Sequence, residues 1–262
     1  MPFTISHAAA VLPFTRPLAR WRLLSATIIG SMVPDFGFFL PWRPPRVETH
    51  SAMGLVLFCL PVGLITFWVF QKLIKTALLE VVPDATYARW QGFSQPADMG
   101  NARQWLAAAF GILVGAITHL VWDAFTHEGA RGVRMIPALD DPYVDFAGHH
   151  LFGTRLLQDV SSLLGLAIVL VILLYGVRPG RGVPIAPERR LRAAERYVWV
   201  CVYCAVAVLP IALAFRRTPV QHATAHTLAL LVGTSAIAAL RGLAASLIMV
   251  SLALDARLRA GR

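Results

Sequence analysis

Charge is scarce in this chain. Of 262 residues only 15% are Asp, Glu, Lys or Arg, and 57% are apolar, whereas a soluble domain carries about 25% charged residues. Such a chain cannot cover a water-soluble globule with polar surface, so a membrane protein is the class left standing. Lysine is nearly missing as well: Lys72 and Lys75 are the only two, and the net charge of +10 comes from arginine. In a soluble protein that balance would suggest nucleic acid. Here the arginines stand between apolar runs, which points to bilayer topology and anionic head groups, with no nucleic-acid partner. Cysteine is limited to Cys59, Cys201 and Cys204, all in apolar segments, which excludes a disulfide framework. Cys201-Val-Tyr-Cys204 has the CxxC spacing without a second pair, and a buried thiol pair is expected rather than a metal or redox motif. Internal repeats and low-complexity tracts are missing too. No charged segment or small-residue cleavage site follows Met1, so no signal peptide is expected.

What is present is a series of long apolar runs. A bilayer core takes about 20 apolar residues per helix, and four stretches qualify: residues 51–70, 105–125, 160–177 and 197–215. A fifth, 227–254, contains Arg241 and reads either as one span with an inward-facing arginine or as two shorter pieces. Residues 23–40 are apolar but carry Pro34-Asp35, which predicts a re-entrant or buried segment. The fold class is therefore all-α: a polytopic helical membrane protein of about five spans plus this N-terminal segment. Residues 1–157 form a membrane-embedded region rich in polar landmarks, and residues 158–262 form C-terminal spans nearly free of them. The stretch 178–196, with its arginines, Pro179-Gly180 and Pro184, reads as a basic linker.

The positive-inside rule orients the bundle. Arg178, Arg181, Arg189, Arg190, Arg192 and Arg196 place that linker in the cytoplasm, and alternation then puts Lys72, Lys75, Arg89 and Arg103 inside. The loop 128–159 falls outside, where Arg131, Arg134 and Arg155 face Glu128, Asp140, Asp141 and Asp145.

Ionisable residues within spans are costly and mark sites or partners. The second span holds His119, Asp123 and His127, four residues apart on one helix face. Imidazole, carboxylate and imidazole on one stripe suit zinc or manganese and are too poor in oxygen for calcium. The competing reading is a hydrogen-bonded stripe that joins helices. His50 opens the first span at the outer end, and Asp35 follows a proline that breaks its helix just before an outer loop. His149 and His150 lie in the outer loop itself. These groups can share one depth, and His7 joins them if residues 1–40 re-enter. His222 and His226 read as interfacial, Trp42, Trp90 and Trp105 as an aromatic belt, and Asp140-Asp141-Pro142 as a solvated turn.

Met1-Pro-Phe-Thr-Ile-Ser-His7, Gly30-Ser-Met-Val-Pro-Asp35-Phe, Thr49-His50-Ser, Thr118-His119-Leu-Val-Trp-Asp123-Ala-Phe-Thr-His127 and Leu157-Gln158-Asp-Val-Ser161-Ser162-Leu-Leu-Gly165 together resemble the bacterial membrane family of domain of unknown function 4184 over nearly the whole chain. Their order is also similar to predicted membrane-bound metal-dependent hydrolases and, more distantly, to the zinc-dependent phospholipases C. That likeness implies phosphodiester hydrolysis at a zinc cluster. The ligand set it implies is His7, Asp35, His50, His119, Asp123 and His127. The phospholipases continue with His-x-x-x-Glu, where here His149 and His150 precede Gly153 and Thr154, so one or two metals are implied rather than three.

The leading expectation is a hydrolase in the cell membrane, its site toward the extracytoplasmic face, acting on a lipid or lipid-linked phosphoester. Asp35 is the candidate general base or bridging ligand, His50, His119 and Asp123 are primary ligands, and His7 and His127 are second-site ligands. Arg131, Arg134 or Arg155 would hold the phosphate or anchor head groups. Two other classes stay open: a proton or ion pathway, and a structural protein whose His and Asp groups pair only with one another.

Overall fold

A computed structural model describes residues 4–14, 17–18, 23–40, 42–90, 97–140, 142–146, 149–175, 191–217 and 225–260. The chain opens with 3-10 turns, Thr4–Ala10 and Leu12–Phe14, and a two-turn helix α1 (Leu24–Gly30). Pro34 lacks an N–H and disfavours helical backbone before it, and α1 gives way there to a 3-10 segment, Val33–Phe38, bearing Asp35. A single turn, α2 (Arg46–Thr49), leads through the Ser51 cap into α3, a helix over Ala52–Val81. The helix α3 contains two π-type stretches, Leu55–Cys59 and Phe70–Ile74. Next come α4 (Asp84–Trp90), α5 (Ala102–Thr126) and α6 (Arg131–Met135). An antiparallel hairpin, β1 (Pro142–Phe146) with β2 (His149–Phe152), pairs Asp145 with His150 and Phe146 with His149. Three long helices end the chain: α7 (Gly153–Tyr175), α8 (Ala193–Arg217) and α9 (Ala225–Ala260).

Among the described residues five helices are long and apolar enough to cross a membrane: Ala52–Val81, Ala102–Thr126, Gly153–Tyr175, Ala193–Pro210 and Ile237–Ala260. The architecture is thus a helical, multi-pass membrane protein. In α7, Leu163, Leu164, Leu170 and Val171 are more than half exposed, while Gln158, Ser162 and Val169 are buried. The polar stripe faces protein and the leucines face outward, the pattern expected where the surroundings are lipid.

The chain divides into two compact units: 1–37, 42–68 and 97–179 form the first, and 38–41, 69–96 and 180–262 the second. Because α7 stays whole within the first unit, the sequence-based division at residue 157 falls inside a helix. In the first unit α1 crosses α5 at unusually close range. A Cβ at Gly115 would lie 2.9 Å from the Gly30 carbonyl carbon, and one at Gly30 would lie 2.7 Å from the Ile112 Cα, so only glycine at both positions permits the approach. Across the same unit, Gly165 of α7 meets the Thr4–Ala10 turn, where a Cβ would stand 2.9 Å from Ser6. Ala8, Ala9, Leu12 and Val169 form an apolar cluster beside that contact.

In the second unit, Ala77, Val81 and Leu254 form a core with Trp199, Tyr203 and Leu258 packed against it. Tyr203 and Ser251 share a 2.8 Å hydrogen bond, and Arg196 grips Asp84 through two bonds of 2.8 and 3.1 Å. The helix α9 is continuous through Arg241, which resolves the one-or-two-piece alternative. Arg241 donates from Nε and Nη2 to the Phe38 carbonyl at 3.1 and 2.9 Å.

Three expectations need correction. Lys72 and Lys75, read as loop residues, lie in α3, which continues to Val81; Lys75 bonds Gln71 at 3.2 Å within it. Asp159, read as a loop residue, lies in α7 and pairs with Arg155 at 3.0 Å. Cys201 and Cys204, expected to be buried, are exposed on α8, and of the three cysteines only Cys59 is buried. Hydropathy separates apolar from polar residues but not protein-facing from lipid-facing ones. The linker residues 178–190, His222 and the side chains of His149, His150 and His226 lie outside the described residues.

Candidate metal centre

Four peptide segments of the first unit deliver the site. The Thr4–Ala10 turn brings His7, the proline-broken segment brings Asp35, the α2–α3 junction brings His50, and the last two turns of α5 bring His119 and Asp123. All five are inward: His119 is fully buried, and the side chains of His7, Asp35, His50 and Asp123 are at most 8% exposed.

The heart of the site is a set of four acceptor atoms. The Nε2 atoms of His50 and His119 stand 3.2 Å apart. Oδ2 of Asp123 lies 3.4 Å from His50 Nε2 and 3.3 Å from His119 Nε2; Oδ1 of Asp35 lies 3.4 and 3.8 Å from the same two atoms. Donors about 2.0–2.1 Å from a tetrahedral zinc ion stand about 3.3 Å from one another, so the His50, His119 and Asp123 atoms match three coordination edges of one ion, while Asp35 Oδ1 stands further off, 3.8 Å from His119 Nε2.

Hydrogen bonding on the far side of each ring fixes what these atoms can offer. His119 Nδ1 lies 2.8 Å from the Ser31 carbonyl oxygen. A carbonyl only accepts, so Nδ1 carries the hydrogen and the neutral ring presents a lone pair at Nε2. Thr49 donates its hydroxyl to the Arg46 carbonyl at 3.2 Å, and His50 Nδ1 lies 2.8 Å from that hydroxyl oxygen. His50 Nδ1 is therefore also the protonated nitrogen, and its Nε2 also faces inward unprotonated. Two lone pairs and two carboxylate oxygens then face one another, and one of them, Asp123 Oδ2, accepts from Arg46 Nη2. Such a cluster needs a cation, and this outer ring of partners is the kind that orients metal-ligating imidazoles. For His50, burial opposes the charged form, yet the hydrogen bonds its protonated ring would make to Asp123 and Asp35 outweigh it and lift its pKa above the ordinary value. A proton is drawn to the same point.

Asp123 reaches further. Among the described residues its Oδ1 is buried without a hydrogen-bond partner, as are both ring nitrogens of His7. His7 Nε2 lies 3.6 Å from that oxygen, with the ring stacked on His119 at 3.8 Å. Burial pushes the His7 pKa down to about 3, so this imidazole is neutral at physiological pH. Buried polar atoms without partners are rare, and a ligand role accounts for these three. Accordingly two groups have the makings of a metal site: His7, His119 and Asp123, and Asp35, His50 and His119.

The helical stripe predicted for residues 119, 123 and 127 is half realised. His127 ends α5 in extended conformation and donates its backbone N–H to the Asp123 carbonyl. Its Nδ1 stands 3.5 Å from Asp123 Oδ1 at the partly exposed rim. Two partners escaped sequence reasoning. Thr4 donates its hydroxyl to Asp35 Oδ2 at 2.8 Å, and Arg46 places Nη2 in close contact with Asp123 Oδ2. Both flank motif histidines, His7 and His50, by three and four residues, and that proximity is the one signal that could have found them. Of the arginines predicted from the outer loop, Arg155 is paired with Asp159 and Arg134 donates from Nε to the Gly129 carbonyl.

Fold and site thus define a multi-pass helical membrane protein whose first unit holds two overlapping, buried His/Asp groups able to bind a metal. The chain belongs to the family described as Domain of unknown function (DUF4184), whose model matches residues 1–252. No curated protein and no solved structure matches it.

Proposed function

We propose that this chain is a membrane-bound, metal-dependent hydrolase of a phosphoester in a lipid or lipid-linked substrate. The observation that carries the reading is the buried approach of His50 and His119 Nε2 to each other and to the Asp35 and Asp123 carboxylates, all within 3.8 Å. Zinc or a similar ion fits this mixed nitrogen and oxygen set. Depth supports the reading further. Asp123 lies three residues from the end of α5, about 5 Å along the helix, and His50 precedes the first residue of α3 by two. A site at a span end suits a head-group substrate better than a pathway through the bilayer.

When bound, a divalent ion supplies Lewis acidity and a water acidified toward neutral pH. His50, His119 and Asp123 would hold it, each imidazole kept in the metal-binding tautomer by its outer partner. Asp35, fixed at Oδ2 by Thr4, would keep Oδ1 beside the ion's open position, as the base for the attacking water's proton. Asp123 anchors the centre through Oδ2, and its Oδ1 extends the site toward His7 and His127.

Elemental analysis of protein purified without chelator tests the reading, with turnover of bis-p-nitrophenyl phosphate alongside. Near-stoichiometric metal is expected, with metal and turnover both lost in Asp123→Ala and His119→Ala while the protein still inserts. Wild-type protein free of metal would refute it. Mutants that only melt earlier, with metal unchanged, would assign these residues to helix joining.

A further inference from the structure

We infer that Arg46 is the anion-binding residue of this site and engages the phosphoryl oxygens of the substrate. The inference rests on the metal reading above and adds the residue that recognises the phosphoryl group.

Arg46 is tied to two metal-ligand candidates at once. Its backbone carbonyl accepts the His50 N–H at 2.9 Å and the Thr49 hydroxyl that orients the His50 ring. Its side chain crosses to Asp123, so guanidinium and cluster share one carboxylate. The approach is rigid: Pro44 and Pro45 precede Arg46, and Arg43 holds a left-handed φ of 38°. A non-glycine residue in that region costs energy, and such strain gathers where geometry serves a site.

Unlike the ligands, the Arg46 side chain is 39% exposed. It is the charged group of the cluster that a substrate meets from outside. Only Nη2 is engaged with Asp123; among the described residues Nε and Nη1 have no hydrogen-bond partner. Each bidentate edge of a guanidinium includes Nη2, so with one Nη2–H on Asp123 a single edge, the other Nη2–H with its neighbouring N–H, is left to bind two phosphate oxygens. Charge points the same way. One divalent cation balances Asp35 and Asp123, with the histidines neutral. Arg46 is then a surplus single positive charge at the mouth, which an anion matches.

The test uses full-length protein, zinc-loaded in detergent, titrated calorimetrically with inorganic phosphate, with zinc content measured on every sample. Wild type should bind phosphate. Arg46→Gln should bind it about tenfold or more weakly with zinc stoichiometry unchanged, and Arg46→Lys should recover part of the loss. A water-soluble short-chain phosphatidylglycerol separates the two sources of the anion. Displacement of phosphate well below the detergent's own dissolved lipid limit assigns a lipid head group, and failure to displace assigns a free phosphate. Phosphate binding by Arg46→Gln equal to wild type overturns the inference. So does loss of zinc together with phosphate, since Arg46 would then merely support Asp123. Zinc without phosphate in wild type sinks the anion site alone, whereas wild type without zinc sinks the metal reading beneath it.

Discussion

Asp123 carries more of the candidate site than any other side chain, because its two oxygens face different partners. Oδ2 meets His50, His119 and Arg46, and Oδ1 meets His7 and His127. The titratable members of this set were legible as residue types at helical spacing and in segments brought to one depth. Their orienting partners were not, because the Ser31 and Arg46 carbonyls belong to the backbone and carry no residue signature. Thr4 and Arg46 act over 31 and 77 positions, distances at which spacing says nothing. Removing an orienting partner should therefore act through the metal. Thr4→Val keeps shape but loses the hydroxyl on Asp35, and zinc affinity should fall about tenfold, measurable by chelator competition. Acidity should act at the same point. His50 has a raised pKa because the bonds its protonated ring would make to Asp123 and Asp35 outweigh burial, and a cation must displace the proton those bonds favour. Zinc affinity should fall about tenfold per pH unit below that pKa and level off above it, starting from a pH higher than the ordinary histidine value. Affinity flat from pH 5 to 8 would contradict a histidine-ligated ion.

At the scale of elements, the spans were legible because 20-residue apolar runs have few other uses, and the single helix through Arg241 shows one polar residue satisfied by a carbonyl far off in sequence, that of Phe38. Their ends were less legible. Lysines read as loop markers sit inside α3, since a long flexible side chain can leave the helix axis without ending the helix. The α1–α5 crossing was also hidden, although Gly111-Ile-Leu-Val-Gly115 stands in the sequence, because small residues announce close contact without naming the partner. That crossing sets the Ser31 carbonyl against His119, so packing and site are one problem here. Gly115→Leu would drive side-chain atoms into Ser31 and Gly30. It should cost about 1–3 kcal/mol from overpacking and release metal as the Ser31 carbonyl shifts, seen as a lower melting temperature with reduced zinc. Gly165→Leu, pressed on Ser6 beside His7, should lower the melting temperature similarly.

For the whole molecule, the order of spans constrains where the site can lie. His50 immediately precedes α3, and Asp123 and His127 end α5, the next span. The start of one span and the end of the following one must emerge on the same side, so these residues meet without any crossing of the bilayer. Which side that is follows from charge alone, and the arginine-rich stretch 178–196 argues for the cytoplasm opposite. A head-group hydrolase would then face outward. Single cysteines test this in a background with Cys59, Cys201 and Cys204 replaced. Glu128→Cys and Tyr143→Cys should react with an impermeant thiol reagent in intact cells, and Arg189→Cys should react only after lysis. Labelling of Arg189→Cys in intact cells, with Glu128→Cys and Tyr143→Cys protected, would turn the molecule over. It would move the metal centre to the cytoplasmic face without disturbing its internal geometry, and the substrate would then have to be sought in the inner leaflet.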